Sequence, residues 1–158
     1  MFATLLAVKI GLVAGSRSLL APTALSWAAS MGWITIRDRR LAFLGKPITP
    51  KILTVLALGE LVGDKLPATP SRTTPPPFVA RIVFGALSGY LIGELRNGAV
   101  AGLLGGCLGA VVGTLGGRAA RGWLADAFGR DWPAAVLEDS VAMLSALLVV
   151  GLARRELS

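Results

Sequence analysis

The chain has 158 residues, of which 54% are hydrophobic and only 16% charged, with 20 glycines and a net charge of +7. A soluble domain of this length would carry about 25% charged residues, so the composition points to an integral membrane protein. The absence of histidine and the single cysteine, Cys107, exclude a disulfide framework, a zinc-ligand spacing and a Cys/His nucleophile pair.

Five helical segments are expected, at about 2–33, 51–66, 78–95, 98–125 and 134–153, from apolar runs and their flanking breakers. The first is too long for one straight span and contains Pro22 in "GSRSLLAPT". Because a proline ring clashes with the preceding turn, a kink or break is expected there. Lys9, earlier in the same segment, reads as a snorkelling or paired cation.

The second segment is short for a hydrocarbon layer of ~30 Å and is expected to stop inside the protein. It carries Glu60 and Asp64 four residues apart, hence on one face. Gly59 and Gly63 beside them are expected to form a tightly packed strip. The stretch "PATPSRTTPPP" after it is expected to be a stiff extended loop, since proline lacks the helical donor and favours the polyproline form. Ser71 within it is a candidate source of ligand oxygens.

The fourth segment places Gly105, Gly109, Gly113 and Gly117 four apart. Missing side chains on one helix face let another backbone approach closely, so these four are helix-packing positions. Arg118 and Arg121 end that helix, and Glu138 with Asp139 open the fifth. A burial cost of about 2.5–3.5 kcal/mol for each intramembrane charge means such groups must pair, protonate or face water. Alternation of the spans brings Glu60, Asp64, Lys65, Glu138, Asp139 and Arg118 to one side of the bilayer. Arg17, next to the expected break, is a further candidate for pairing with a carboxylate or holding an anion.

Arg37, Arg39, Arg40, Lys46, Lys51, Arg96, Arg154 and Arg155 fall on the other side. This is the cytoplasmic side under the positive-inside rule, with the N-terminus outside and the C-terminus inside. Basic residues that sit mainly at segment ends, with no aromatic-and-basic stripe beside them, give no nucleic-acid surface. The fold class expected is all-α: a polytopic membrane helix bundle of about five spans with broken or short helices, in one domain over residues 1–158. "GLVAGSRS" resembles "GAVVGTLG", and each long glycine-bearing helix precedes one with two acidic residues. Halves 1–66 and 98–153 around helix 78–95 would then form an inverted repeat.

"ELVGDKLPATPS", "ARIVFGALSG" and "LEDSVAML" together resemble the bacterial membrane family catalogued as domain-of-unknown-function family 4126. Glu60, Asp64, Lys65, Pro67, Ser71, Glu138 and Asp139 fit the positions of that pattern. The loop "RTTPPPFVAR" and the stretch "GRDWP" depart from it. The resemblance implies a multi-pass protein of the bacterial inner membrane and no established activity.

Three functions remain in play. The first is a transporter or channel for an ion or small solute, with the carboxylate cluster taking a cation or proton. The second is a membrane scaffold or lipid-interacting protein whose charges are structural ion pairs. The third, less favoured, is a membrane enzyme using carboxylate-bound Mg²⁺. No cofactor is expected, the metal is left open, and the small size favours a homo-oligomer, most simply a two-fold dimer.

Overall fold

A computed structural model describes residues 1–63 and 74–156. The candidates Asp64, Lys65 and Ser71 lie outside the described residues. Those described form helices α1 (Phe2–Ser16), α2 (Leu20–Ser30), α3 (Thr49–Gly63), α4 (Pro75–Glu94), α5 (Ala99–Phe128) and α6 (Asp131–Glu156), with a short 3-10 turn at Ala42–Gly45 and no strand. Helices α4, α5 and α6 are each long and apolar enough to cross a membrane, whereas α1 is a shorter apolar helix. The molecule is therefore an all-helical membrane bundle.

The break expected in the first segment falls at Arg17–Leu19, where Arg17 is extended at φ −139° and ψ 106°. Pro22 sits in the first turn of α2, where its missing N–H costs no helical hydrogen bond. The chain does not continue across the bilayer after this break; it turns back. α1 runs parallel to α5, because Gly105 faces Thr4 and Val8 while Gly113 faces Leu12. Beyond α2, Arg37 donates to Asn97 at 2.7 Å and Asp38 accepts from Tyr90, which returns the chain to the end where α1 began. The N-terminus thus shares one end of the bundle with Arg37, Arg96 and Arg154, correcting the expectation that it lies opposite them. A pair of helices that enters and leaves on one side is tolerated at membrane depth where its broken backbone is buried in protein that supplies partners.

From that end α3 climbs again, antiparallel to α2, with Trp27 Nε1 donating to Thr54 Oγ1 at 3.0 Å and Glu60 reaching the start of α2. α4 descends, α5 ascends and α6 descends. The parallel relation of α1 and α5 is the opposite of what an inverted repeat gives its matching helices, so this pair is not related by inversion. Pro75–Pro77, expected as loop, instead begin α4, since the first helical turn has no intrahelical use for their donors. Among the described residues, a Cβ on Gly59 or Gly63 would meet nothing within 4 Å.

The core is a trio of helices, α1, α4 and α5, each packed on the other two. Added Cβ atoms at Gly109 and Gly113 would run into the backbone of α1 at Val8 and Leu12, and those at Gly102 and Gly106 into α4 at Gly89 and Gly85. Both sides of α5 are thus in backbone contact within one chain, the close approach that replaces hydrophobic driving force in lipid. Gly105 and Gly117 are less tightly engaged, a Cβ there having its nearest neighbour at 3.3 Å.

Candidate functional site

Breaking a helix inside a bilayer exposes carbonyls on one side of the break and amides on the other, and each must find a partner. At the end of α1 the carbonyls of Gly15 and Ser16 accept from Arg81 Nη1 at 2.8 and 3.0 Å. Thr114 Oγ1 lies 3.1 Å from the Gly15 oxygen and 2.8 Å from the Ala110 carbonyl, its single proton shared between the two. At the start of α2 the amides of Ser18 and Leu19 donate to the two carboxylate oxygens of Glu60 at 2.8 and 2.9 Å, and the Ser18 hydroxyl donates at 2.7 Å. The signs match the helix dipoles: a guanidinium meets the negative end of α1, and a carboxylate meets the positive end of α2. The two caps also face one another, Arg81 Nη2 lying 3.8 Å from Glu60 Oε1.

Arg17, in the break itself, is only 2% exposed. Its Nε donates to Asp139 Oδ1 at 2.6 Å, and Nη2 pairs with the same carboxylate. Arg17 and Arg81 are tolerated in the interior because a carboxylate and the helix-end carbonyls meet them in the same layer. Arg81 is six residues into α4, about 9 Å at 1.5 Å per residue. Asp139 is eight residues into α6, about 12 Å from its start, so it lies two turns inside that helix and does not open it, as the sequence had suggested. The ionic layer therefore lies inside the bundle, away from its ends. Replacing Thr114 by valine removes one donor while Arg81 remains; the expected cost in an unfolding titration is about 1 kcal/mol.

The structure brings Arg17, Glu60 and Asp139 together around a void of about 20 Å³, closed by Leu20, Ala57, Leu61 and Met143. Glu138 faces a different cavity, where it lies 3.7 Å from Arg121 Nη1. Arg121 also forms a two-pronged pair with Asp131, at 2.9 and 2.6 Å. Arg118 is exposed on α5 and lines neither cavity. Among the described residues, no group of three or more acidic or cysteine side chains could hold a metal ion.

Sequence reasoning did not single out Arg81, Ser18 or Thr114. The depth of Arg81 within a 20-residue apolar helix was the available signal, because a cation there requires a partner.

A family model described as a domain of unknown function (DUF4126) matches residues 4–154. The chain belongs to the DUF4126 family. That match covers every described charge of the ionic layer in this DUF4126 protein. No curated protein and no solved structure matches the chain.

Proposed function

We propose that this DUF4126 protein is a small transporter or channel for an ion or small solute, with Arg17, Glu60, Arg81 and Asp139 as its exchanging groups. The observation that carries this assignment is the void of about 20 Å³ bounded by Arg17, Glu60 and Asp139 beside the α1–α2 break. Its wall is mainly apolar, so the support comes from the charges gathered beside it at the helix break, and broken helices that present their ends to a buried site are the usual way transporters build such sites. A proton or a monovalent cation moving between Glu60 and Asp139 would exchange places with the guanidinium groups that now neutralise them. Asp64, Lys65 and Ser71, which follow α3 in sequence, belong to the same assignment; Glu138, which faces the other cavity, and Arg118, exposed on α5, do not.

The positive-inside rule places the end carrying Arg37, Arg39, Arg40, Arg96, Arg154 and Arg155 in the cytoplasm of a bacterial cell. Both termini are then cytoplasmic. A two-fold dimer is proposed as the assembly, since a chain this small offers little width for a path of its own.

A second function has a specific observation in its favour: each of Glu60, Asp139 and Glu138 has an arginine beside it. These pairs alone would suit a scaffold or lipid-interacting protein. Glu60→Gln separates the two. In proteoliposomes carrying an entrapped pH dye and an imposed membrane potential, transport requires proton flux in the wild type that the variant loses while remaining folded. Flux at the wild-type rate in Glu60→Gln, or none in either protein, would remove the proton assignment. A lowered unfolding midpoint with no flux in either protein favours the scaffold.

A further inference from the structure

A second cavity, of about 550 Å³, runs along the seam of α1, α5 and α6. Its volume is that of sites holding a drug-sized molecule. The walls are Leu12, Val13, Leu124, Val141, Leu148 and Leu152, with Ser16, Arg121 and Glu138 at the deep end and Lys9 along its course. Between Leu137 and Leu152 the lining extends over fifteen residues of α6, about 22 Å at 1.5 Å per residue. Val141 and Leu148 are 56% and 66% exposed, so the cavity is a groove open at its side along a membrane-spanning helix. The surrounding medium there is hydrocarbon, and an extended apolar chain fits such a groove.

Lys9 decides which amphiphile fits. It is exposed, and among the described residues it has no hydrogen-bond or ion-pair partner. Helical side chains lean toward the helix N-terminus, which for α1 is the end shared with Arg154 and Arg155. The ammonium is thereby directed toward the headgroups on that side. Arg121, at the other end of the groove, is already engaged by Asp131 and Glu138, which leaves Lys9 as the cation offered to a ligand.

We infer that the groove is a site for one anionic phospholipid of the leaflet at the N-terminal end, its phosphate on Lys9 and one acyl chain lying between α1, α5 and α6. Such a site is independent of transport through the ionic layer. A phosphate neutralises the ammonium where no carboxylate does, and the acyl chain covers apolar wall that a rigid neighbour would fill less completely.

The test compares phosphatidylglycerol with phosphatidylcholine of identical acyl chains, added to the purified full chain in detergent and read by native mass spectrometry. Phosphatidylglycerol is expected to form a one-to-one adduct preferred about fivefold over phosphatidylcholine, whose phosphate is already neutralised by its own choline, as one partly screened ion pair of about 1 kcal/mol would give. Lys9→Gln should abolish the preference while leaving a weak adduct with either lipid. Val141→Trp, which fills the groove, should remove both adducts. An undiminished preference in Lys9→Gln overturns the assignment, and because Lys9 is exposed this variant tests it even if Val141→Trp fails to fold. A wild-type dimer that carries no lipid and dissociates in Val141→Trp would instead make a second copy the occupant and would equally overturn it.

Discussion

Arg17→Met is expected to destabilise the protein by about 3–5 kcal/mol, the cost of leaving one member of a buried ion pair without its partner. The size follows from where the loss falls. Arg17 is 2% exposed, and the Asp139 side chain it holds is 13% exposed, so water cannot readily take over the role of the guanidinium. Arg17→Lys should recover only part of the loss, since a lysine cannot present two donors in a fixed plane to one carboxylate. Removing both charges, in Arg17→Met with Asp139→Asn, should leave a protein more stable than Arg17→Met alone. The coupling expected in the double-mutant cycle is about 1–3 kcal/mol. Reversible unfolding of the four proteins in mixed detergent would measure it, and strictly additive losses would show that Arg17 and Asp139 do not act on one another.

Gly106→Ala is expected to have the next largest effect, a loss of about 1–3 kcal/mol or more from overpacking. A Cβ at Gly106 would lie under 3.0 Å from the Gly85 carbonyl oxygen and from the Gly89 Cα, both backbone atoms that cannot rotate aside. Helices α4 and α5 would have to separate along their whole glycine seam. Gly116→Ala, nearly three turns farther along the same helix, supplies the contrast. A Cβ there meets nothing within 4 Å, so that variant should gain about 0.5–1 kcal/mol from helix propensity. Opposite signs for one substitution on one helix would establish that packing geometry, and not the loss of glycine flexibility, decides the outcome. Unfolding midpoints of both variants falling on the same side of the wild type would contradict it.

The corrections to the sequence-based topology have a common physical origin. Apolar length and a proline identify where a helix stops, but both a kinked crossing and a return to the same side bury the same residues in hydrocarbon. Which one occurs depends on what meets the freed backbone groups at Arg17–Leu19. Here Glu60, from α3, meets the amides, and Arg81, from α4, meets the carbonyls. These partners are 42 and 66 residues away from the groups they cap, a separation that leaves no periodic signature.

The amino-acid sequence by itself determined the membrane class, the helical content, the position of the break near Arg17 and the close-packing role open to the glycines of α5, because each follows from local composition and from spacing along one helix. It also marked Arg17, Glu60 and Asp139 as charges in need of partners. The tertiary structure alone decided which charges meet, that α1 and α5 run parallel, and that Glu138 and Asp139, adjacent in sequence, serve different cavities. Neighbouring residues on a helix point about 100° apart, so the packing of α6 between its neighbours, and no property of the pair, sends one side chain to the break and the other to the groove.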